Sequence, residues 1–330
     1  MLAFSRIPGN AFSFWIRSTL RWSRGRPALP HEAKAGLFGY LTAPEEEIAR
    51  ARESHLRRRY RLDPLAEAST VAVYRKNLYL IDILEKAAEG LPVLTGEGRW
   101  IKENGGMEAG ARTGGTGNVS ALDVGSQDWH YVFGLERWLR HGGVSDGPAG
   151  SAEREDSGGQ KFPEGQAPGA APGGGAPAEG RRVTLRGVEV DGYGIYPDFR
   201  SRKDYAGAYA ARTGNPDVTY EIGDILEAQG GGLDIVTIFY PFVTRHHLLL
   251  WGLPLRLFRP AQLLIKAAAL IRPGGWLLVF THTLKEHELF LELGRACGGF
   301  DLAKEGQALS NLVDFHEDVT DRRYSVWRRM

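Results

Sequence analysis

Val119-Ser120-Ala121-Leu122-Asp123-Val124-Gly125-Ser126-Gln127-Asp128-Trp129 runs from an apolar segment into a polar turn. Residues 119–124 have the length and apolar character of a buried strand. Directly after the turn, 129–141 places Val132, Leu135, Trp138 and Leu139 at helical spacing. A strand that passes through a short turn into a helix opens a crossover unit of a parallel sheet.

The same alternation continues downstream. Residues 183–190, 218–222, 233–239 and 276–281 read as strands. Residues 197–212, 262–270 and 285–296 read as helices, and 323–328 as a final strand. Strands alternating with helices predict an α/β fold, a doubly wound sheet covered on both faces. Such a sheet binds ligands beyond the carboxyl ends of its strands, where the strand order switches.

Those ends carry polar residues. Asp123-Val124-Gly125-Ser126-Gln127 closes the first strand, and Glu189-Val190-Asp191 the second. Glu221-Ile222-Gly223-Asp224-Ile225 closes the third, and Ile238-Phe239-Tyr240-Pro241 the fourth. Leu270-Ile271-Arg272-Pro273-Gly274-Gly275 leads into the fifth.

Taken in this order, the set resembles the motifs of class I S-adenosylmethionine-dependent methyltransferases, over about 119–330. The resemblance implies a Rossmann-like methyltransferase sheet with an antiparallel last strand, here Arg323-Tyr324-Ser325-Val326-Trp327-Arg328. It implies S-adenosyl-L-methionine as cofactor. Asp123, Gly125, Ser126 and Gln127 would lie under its methionine part, and Glu189 would accept from the ribose hydroxyls. Asp224 would reach the adenine amino group with Ile225 against the ring, and Phe239 joins the cofactor set. Asp123 and Glu189 stand 66 positions apart; without the 39 residues 142–180, 27 remain, an ordinary crossover.

The first motif departs from the family's Gly-x-Gly-x-Gly turn. Gln127 and Trp129 stand where glycines usually permit tight turning and close backbone approach. Trp129 is expected either to crowd the methionine pocket or to face the sulfonium by cation–π attraction, with Asp128 toward the ammonium. Ser126 or Asp128 would in any case cap the next helix. The departure keeps a second reading open, a non-catalytic domain that binds a protein or RNA partner. A nicotinamide enzyme would show Gly-x-Gly-x-x-Gly after its first strand, and this chain does not.

The acceptor site is expected after the fourth strand, in Phe239-Tyr240-Pro241-Phe242-Val243-Thr244-Arg245-His246-His247. Tyr240 is a candidate to hold the acceptor or shield the sulfonium. His246 and His247 are candidate proton acceptors, since an unperturbed imidazole titrates near neutrality. Leu248-Leu249-Leu250-Trp251 would wall a greasy pocket or simply dock the next helix. Thr281 and His282, closing the fifth strand, come next. No metal set is expected among the histidines.

Upstream, 1–95 reads as a helical N-terminal arm and cap. Thr42-Ala43-Pro44-Glu45 is a capping box, and the order of Glu45–Glu47 and Arg57–Arg61 suits the dipole of the helix it opens. A second helix is expected over 65–88, with Val71, Tyr74, Leu78, Ile81 and Leu84 on one face and a covering role over the substrate side. Residues 96–118 read as a flexible linker, and 142–180, rich in Gly, Ala and Pro, as a disordered insertion.

The 330 residues carry 41 basic and 40 acidic side chains, so net charge argues for neither nucleic acid nor an anionic membrane. Five arginines precede the first acid, Glu32, among Phe12, Phe14 and Trp15. This arm is expected to pack on the main domain, with a membrane-surface helix as the alternative. A lone cysteine, Cys297, excludes an internal disulfide, and no transmembrane span or clear signal peptide is read; a cytoplasmic location is expected. The methyl acceptor is expected to be a small molecule or another unidentified group.

Overall fold

The computed structural model describes residues 43–91, 117–142, 181–310, 312 and 321–330. The basic arm, the capping-box Thr42 and nearly all of the 96–118 linker and of the 142–180 insertion lie outside the described residues. In chain order the elements are helices α1 (Ala43–Arg59), α2 (Asp63–Ala68) and α3 (Val71–Ala88), then β1 (Asn118–Val124), α4 (Val132–His141), β2 (Arg182–Glu189), α5 (Arg202–Arg212), β3 (Val218–Ile222) and β4 (Leu233–Phe239). There follow α6 (Arg245–Leu250), α7 (Pro260–Leu270), β5 (Ile271–Thr281), α8 (Leu284–Cys297), β6 (Phe300–Gln307) and β7 (Arg323–Arg329).

Seven strands form one sheet in the order β3-β2-β1-β4-β5-β7-β6. β1 pairs in parallel with β2 and β4, and β4 with β5. β7 runs antiparallel between β5 and β6, so the sheet is mixed and its last strand is reversed. The order switches at β1 and β4, and the crevice at their carboxyl ends is where an open α/β sheet binds ligand.

Trp276 through Thr281 are all buried, as both faces of a central strand must be. Leu122, Val236, Leu277 and Val279 face one core layer with α7 and α8. Val119, Ala121, Leu278 and Phe280 face the other, which contains Leu78, Ile81 and Leu84 of α3 as well as Leu135 of α4. α3 therefore packs directly on the domain beside α4.

Several elements differ from expectation for identifiable reasons. The expected 65–88 helix is two helices, broken at Ser69 and Thr70, where Thr70 accepts the Val73 N–H as an N-cap. The helix expected from 197 starts at Arg202 behind a reciprocal capping box between Ser201 and Asp204. The helix expected from Trp129 begins at Val132 because 125–129 coils first. β6, FDLAKEGQ, was not anticipated; it is an edge strand with three charged residues in eight that exists through its ladder to β7.

Candidate functional site

The turn after β1 keeps the curvature of a glycine-rich loop with only the first of its glycines. Gly125, Gln127 and Trp129 lie at φ +77°, +53° and +55°. Left-handed backbone costs an L-residue roughly 1–2 kcal/mol, so Gln127 and Trp129 must be held by their surroundings. Trp129 is fully buried, its ring laid on Gly187 of β2, where an added Cβ would come within 2.8 Å of it. Trp129 therefore points beneath the turn; it neither crowds the crevice above nor faces a sulfonium there.

Asp123 is the centre of that buried arrangement. Trp129 Nε1 and Tyr131 OH each donate to its Oδ2 at 2.9 Å, and Thr237 Oγ1 to its Oδ1 at 2.6 Å. Burial pushes its carboxyl up to about 7, against the opposing pull of the three donors. Asp123 thus joins β1, β4 and the turn from within. Ser126 is buried beside it, and its Oγ has no hydrogen-bond partner among the described residues.

At the end of β2, Glu189 accepts the N–H of Gln127 at 2.8 Å and that of Asp191 at 2.7 Å. Burial raises its carboxyl, while Arg202 and the two amides pull it back. Tyr220 of β3 donates to the Gln127 carbonyl at 2.5 Å. Asp128, although burial opposes ionisation, is held well below the usual carboxylate range by His130 Nδ1 at 2.5 Å and Tyr196 OH at 2.9 Å. Arg202 pairs with Asp191 at 3.0 Å and packs its guanidinium 4.9 Å from the Trp251 ring. That contact links the β2 exit to the segment after β4. After β3, Asp224 caps the turn by accepting from Leu226 N–H and pairs with Arg259 at 2.8 Å, while Ile225 enters the core.

Beyond β4 and β5 lies a second cluster. Phe239 stacks on Phe280 at 4.8 Å and 11°. Tyr240, at φ +59°, lays its ring 3.8 Å from and nearly parallel to the His282 imidazole. The Arg322 guanidinium lies 5.7 Å from the same Tyr240 ring and 5.7 Å from Tyr79 of α3. Thus α3 reaches the carboxyl-end side of the sheet. Burial, then Arg322 and His247, pushes His282 down to about 4. His247 places Nδ1 2.7 Å from Glu286 Oε1 and 2.9 Å from Thr244 Oγ1, whereas His246 is exposed.

Glu286 was missed in the sequence. It is buried at the start of α8, where its other oxygen accepts the His282 N–H at 3.2 Å. The Thr283-x-x-Glu286 spacing signals a helix cap, but nothing local points Glu286 at His247.

Glu189 keeps acceptor capacity beyond its two amide donors. The chain beside Asp224 is open, since a Cβ on Gly223 would meet nothing within 4 Å. Asp123 is fully buried and shapes the turn through its three donors. A cleft of about 320 Å³ between α5 and β3, lined in part by Lys203, Asn215 and Tyr220, lies at the sheet edge and away from this crevice. Among the described residues no His, Cys, Asp and Glu group could hold a metal ion, and no helix is long and apolar enough to cross a membrane.

No family model matches the sequence, and no curated protein matches it. Solved structures do. TrmN from Thermus thermophilus matches 65% of this chain at 13% identity and a TM-score of 0.37; the match spans only 45% of TrmN. A TehB-like SAM-dependent methyltransferase from Corynebacterium glutamicum matches 64% of this chain and 80% of its own at 12% identity and 0.35. The N-methyltransferase NodS from Bradyrhizobium japonicum, in complex with S-adenosyl-L-homocysteine, matches 64% and 78% at 12% and 0.35. At such identities the likeness is one of fold alone: an α/β, Rossmann-like doubly wound sheet whose last strand, β7, runs antiparallel.

Proposed function

We propose that this chain transfers a methyl group from S-adenosyl-L-methionine to an acceptor bound beyond β4 and β5. The observation that carries this reading is the turn at 125–129, left-handed at its three glycine positions and fastened to the β2-terminal acid Glu189. Glu189 would hold the ribose hydroxyls, Asp224 the adenine amino group, with Ile225 backing that turn from the core, and the 125–127 backbone with the Gln127 side chain the amino-acid tail. When bound, the cofactor supplies an electrophilic methyl group for in-line displacement. The chain's own contribution is orientation and exclusion of water. Phe239 and Tyr240 would wall the reacting centre. His247, its Nδ1 turned to Glu286, would present Nε2 to take the acceptor's proton where one must leave. His246, being exposed, would serve at most at the rim.

The second reading, a non-catalytic domain for a protein or RNA partner, draws on the replacement of two glycines by Gln127 and Trp129. Calorimetry with S-adenosylmethionine and S-adenosylhomocysteine separates the two. Binding to wild type, weakened by about 1–3 kcal/mol in Glu189→Ala, supports methyl transfer. No heat with folded wild-type protein sinks it.

A further inference from the structure

The segment after β4 carries a surface that the site does not use. Between Asp234 and Glu286 the chain runs 51 residues without an acid, while Arg245, Arg256, Arg259, Lys266, Arg272 and Lys285 fall within it. In the middle of this stretch the 244–258 lobe turns Leu248 and Leu253 inward and buries them. Leu249 and Leu250 stand 55% exposed and Leu255 53%. Arg245 closes the lobe by packing its guanidinium 5.7 Å from the Phe258 ring, and Arg256 beside Leu255 is exposed.

Exposed leucines gathered on one short lobe mark an interaction surface. Arg259 and Arg272 are paired with Asp224 and Asp234, but Arg245 and Arg256 stand exposed on the lobe beside these leucines, with no acid within it, which fits an anionic and apolar partner. Single-stranded nucleic acid would ask of this lobe free aromatic faces on which bases stack. Here Trp251 is packed against Arg202 and Phe242, and Phe258 against Arg245.

We propose that the 244–258 lobe docks on an anionic lipid surface, with Leu249, Leu250 and Leu255 entering the headgroup boundary and Arg245 and Arg256 meeting the lipid charge. Docking by this lobe turns the crevice beyond β1 and β4 toward the membrane. The proposal does not depend on methyl transfer, and its test needs no cofactor.

Sedimentation of the full chain with phosphatidylcholine vesicles containing phosphatidylglycerol tests it. Binding is expected to these vesicles, much less to phosphatidylcholine alone, and it should weaken as salt is added. The triple substitution Leu249→Ser, Leu250→Ser, Leu255→Ser changes only outward side chains. It should leave the melting temperature within a few degrees and lower vesicle partitioning about tenfold or more. Three results would each overturn the proposal: wild type that stays in the supernatant, a triple variant that sediments like wild type, which moves docking to the basic N-terminal arm, or a single-stranded RNA that binds where vesicles do not.

Discussion

One buried carboxylate, that of Glu189, accepts the amide of Gln127 at 2.8 Å and the amide of Asp191 at 2.7 Å, so the end of β2 fastens the turn that leaves β1. Glu189→Gln would set an NH₂ group against one of those donors. The substitution is expected to destabilise the fold by about 1–3 kcal/mol and to weaken S-adenosylmethionine binding. Urea denaturation and calorimetry read the two effects separately; unchanged values for both would remove Glu189 from this role.

The two replaced glycines should respond in opposite ways. Gln127→Gly relieves left-handed backbone strain worth roughly 1 kcal/mol while adding chain entropy, so stability should hold or rise slightly. Trp129→Gly empties a fully buried site over Gly187 and strips a donor from Asp123. A loss of about 3–5 kcal/mol is expected, as for other buried Trp truncations. A Trp129→Gly protein as stable as wild type would mean that the ring does not lie where it is described.

Two buried groups give stability opposite slopes with pH. Asp123 titrates near 7 in the fold against an ordinary 3.8. Across that window the native state holds the extra proton, so this group lowers stability as pH rises. His282 titrates near 4 against an ordinary 6.5. There the unfolded state holds the extra proton, so this group lowers stability as pH falls. Asp123→Asn, which can keep a carbonyl toward Trp129 and Tyr131, should gain on wild type as pH rises from about 4 to about 7. His282→Phe should gain on wild type as pH falls from about 6.5 to about 4. Denaturation midpoints across pH check both, and parallel profiles for wild type and variant would contradict the burial of that group.

His247 and Glu286 should be energetically coupled. Glu286→Ala removes both the His247 contact and the acceptor of the His282 N–H, so it should cost more than His247→Ala. A double-mutant cycle is expected to give a coupling of about 1–2 kcal/mol. A coupling near zero would break the pair and remove the orienting partner from His247.

Deletion of the 142–180 insertion should be tolerated. The Arg181 N–H donates to the Arg140 carbonyl at 3.1 Å, so the chain already meets itself on either side of 143–180. A short Gly/Ser replacement should shift the melting temperature only slightly, because closure entropy grows slowly with loop length. Failure of the shortened chain to fold would show that the insertion contributes ordered contacts.

What the sequence determined by itself follows from local periodicity. Residues 119–124, 233–239 and 276–281 are apolar over strand length, and 285–296 repeats at helical spacing, so the strand–helix alternation was legible before any contact was known. The acids at the strand ends, Asp123, Glu189 and Asp224, were legible too, because a strand end is a local property. What each acid faces was not. Trp129 turns inward because Gly187, on another strand, leaves a flat surface beneath it. Glu286 reaches His247 because β4 and β5 are neighbours, which brings the segments beyond their ends together. Arg202 meets Trp251 across the crevice because the strand order places β1 between β2 and β4. β6 is a strand only because β7 offers it a ladder. Each of these depends on which distant residue arrives alongside, and only the packed sheet decides that, because side-chain direction and burial are set by non-local contacts that no sequence window contains.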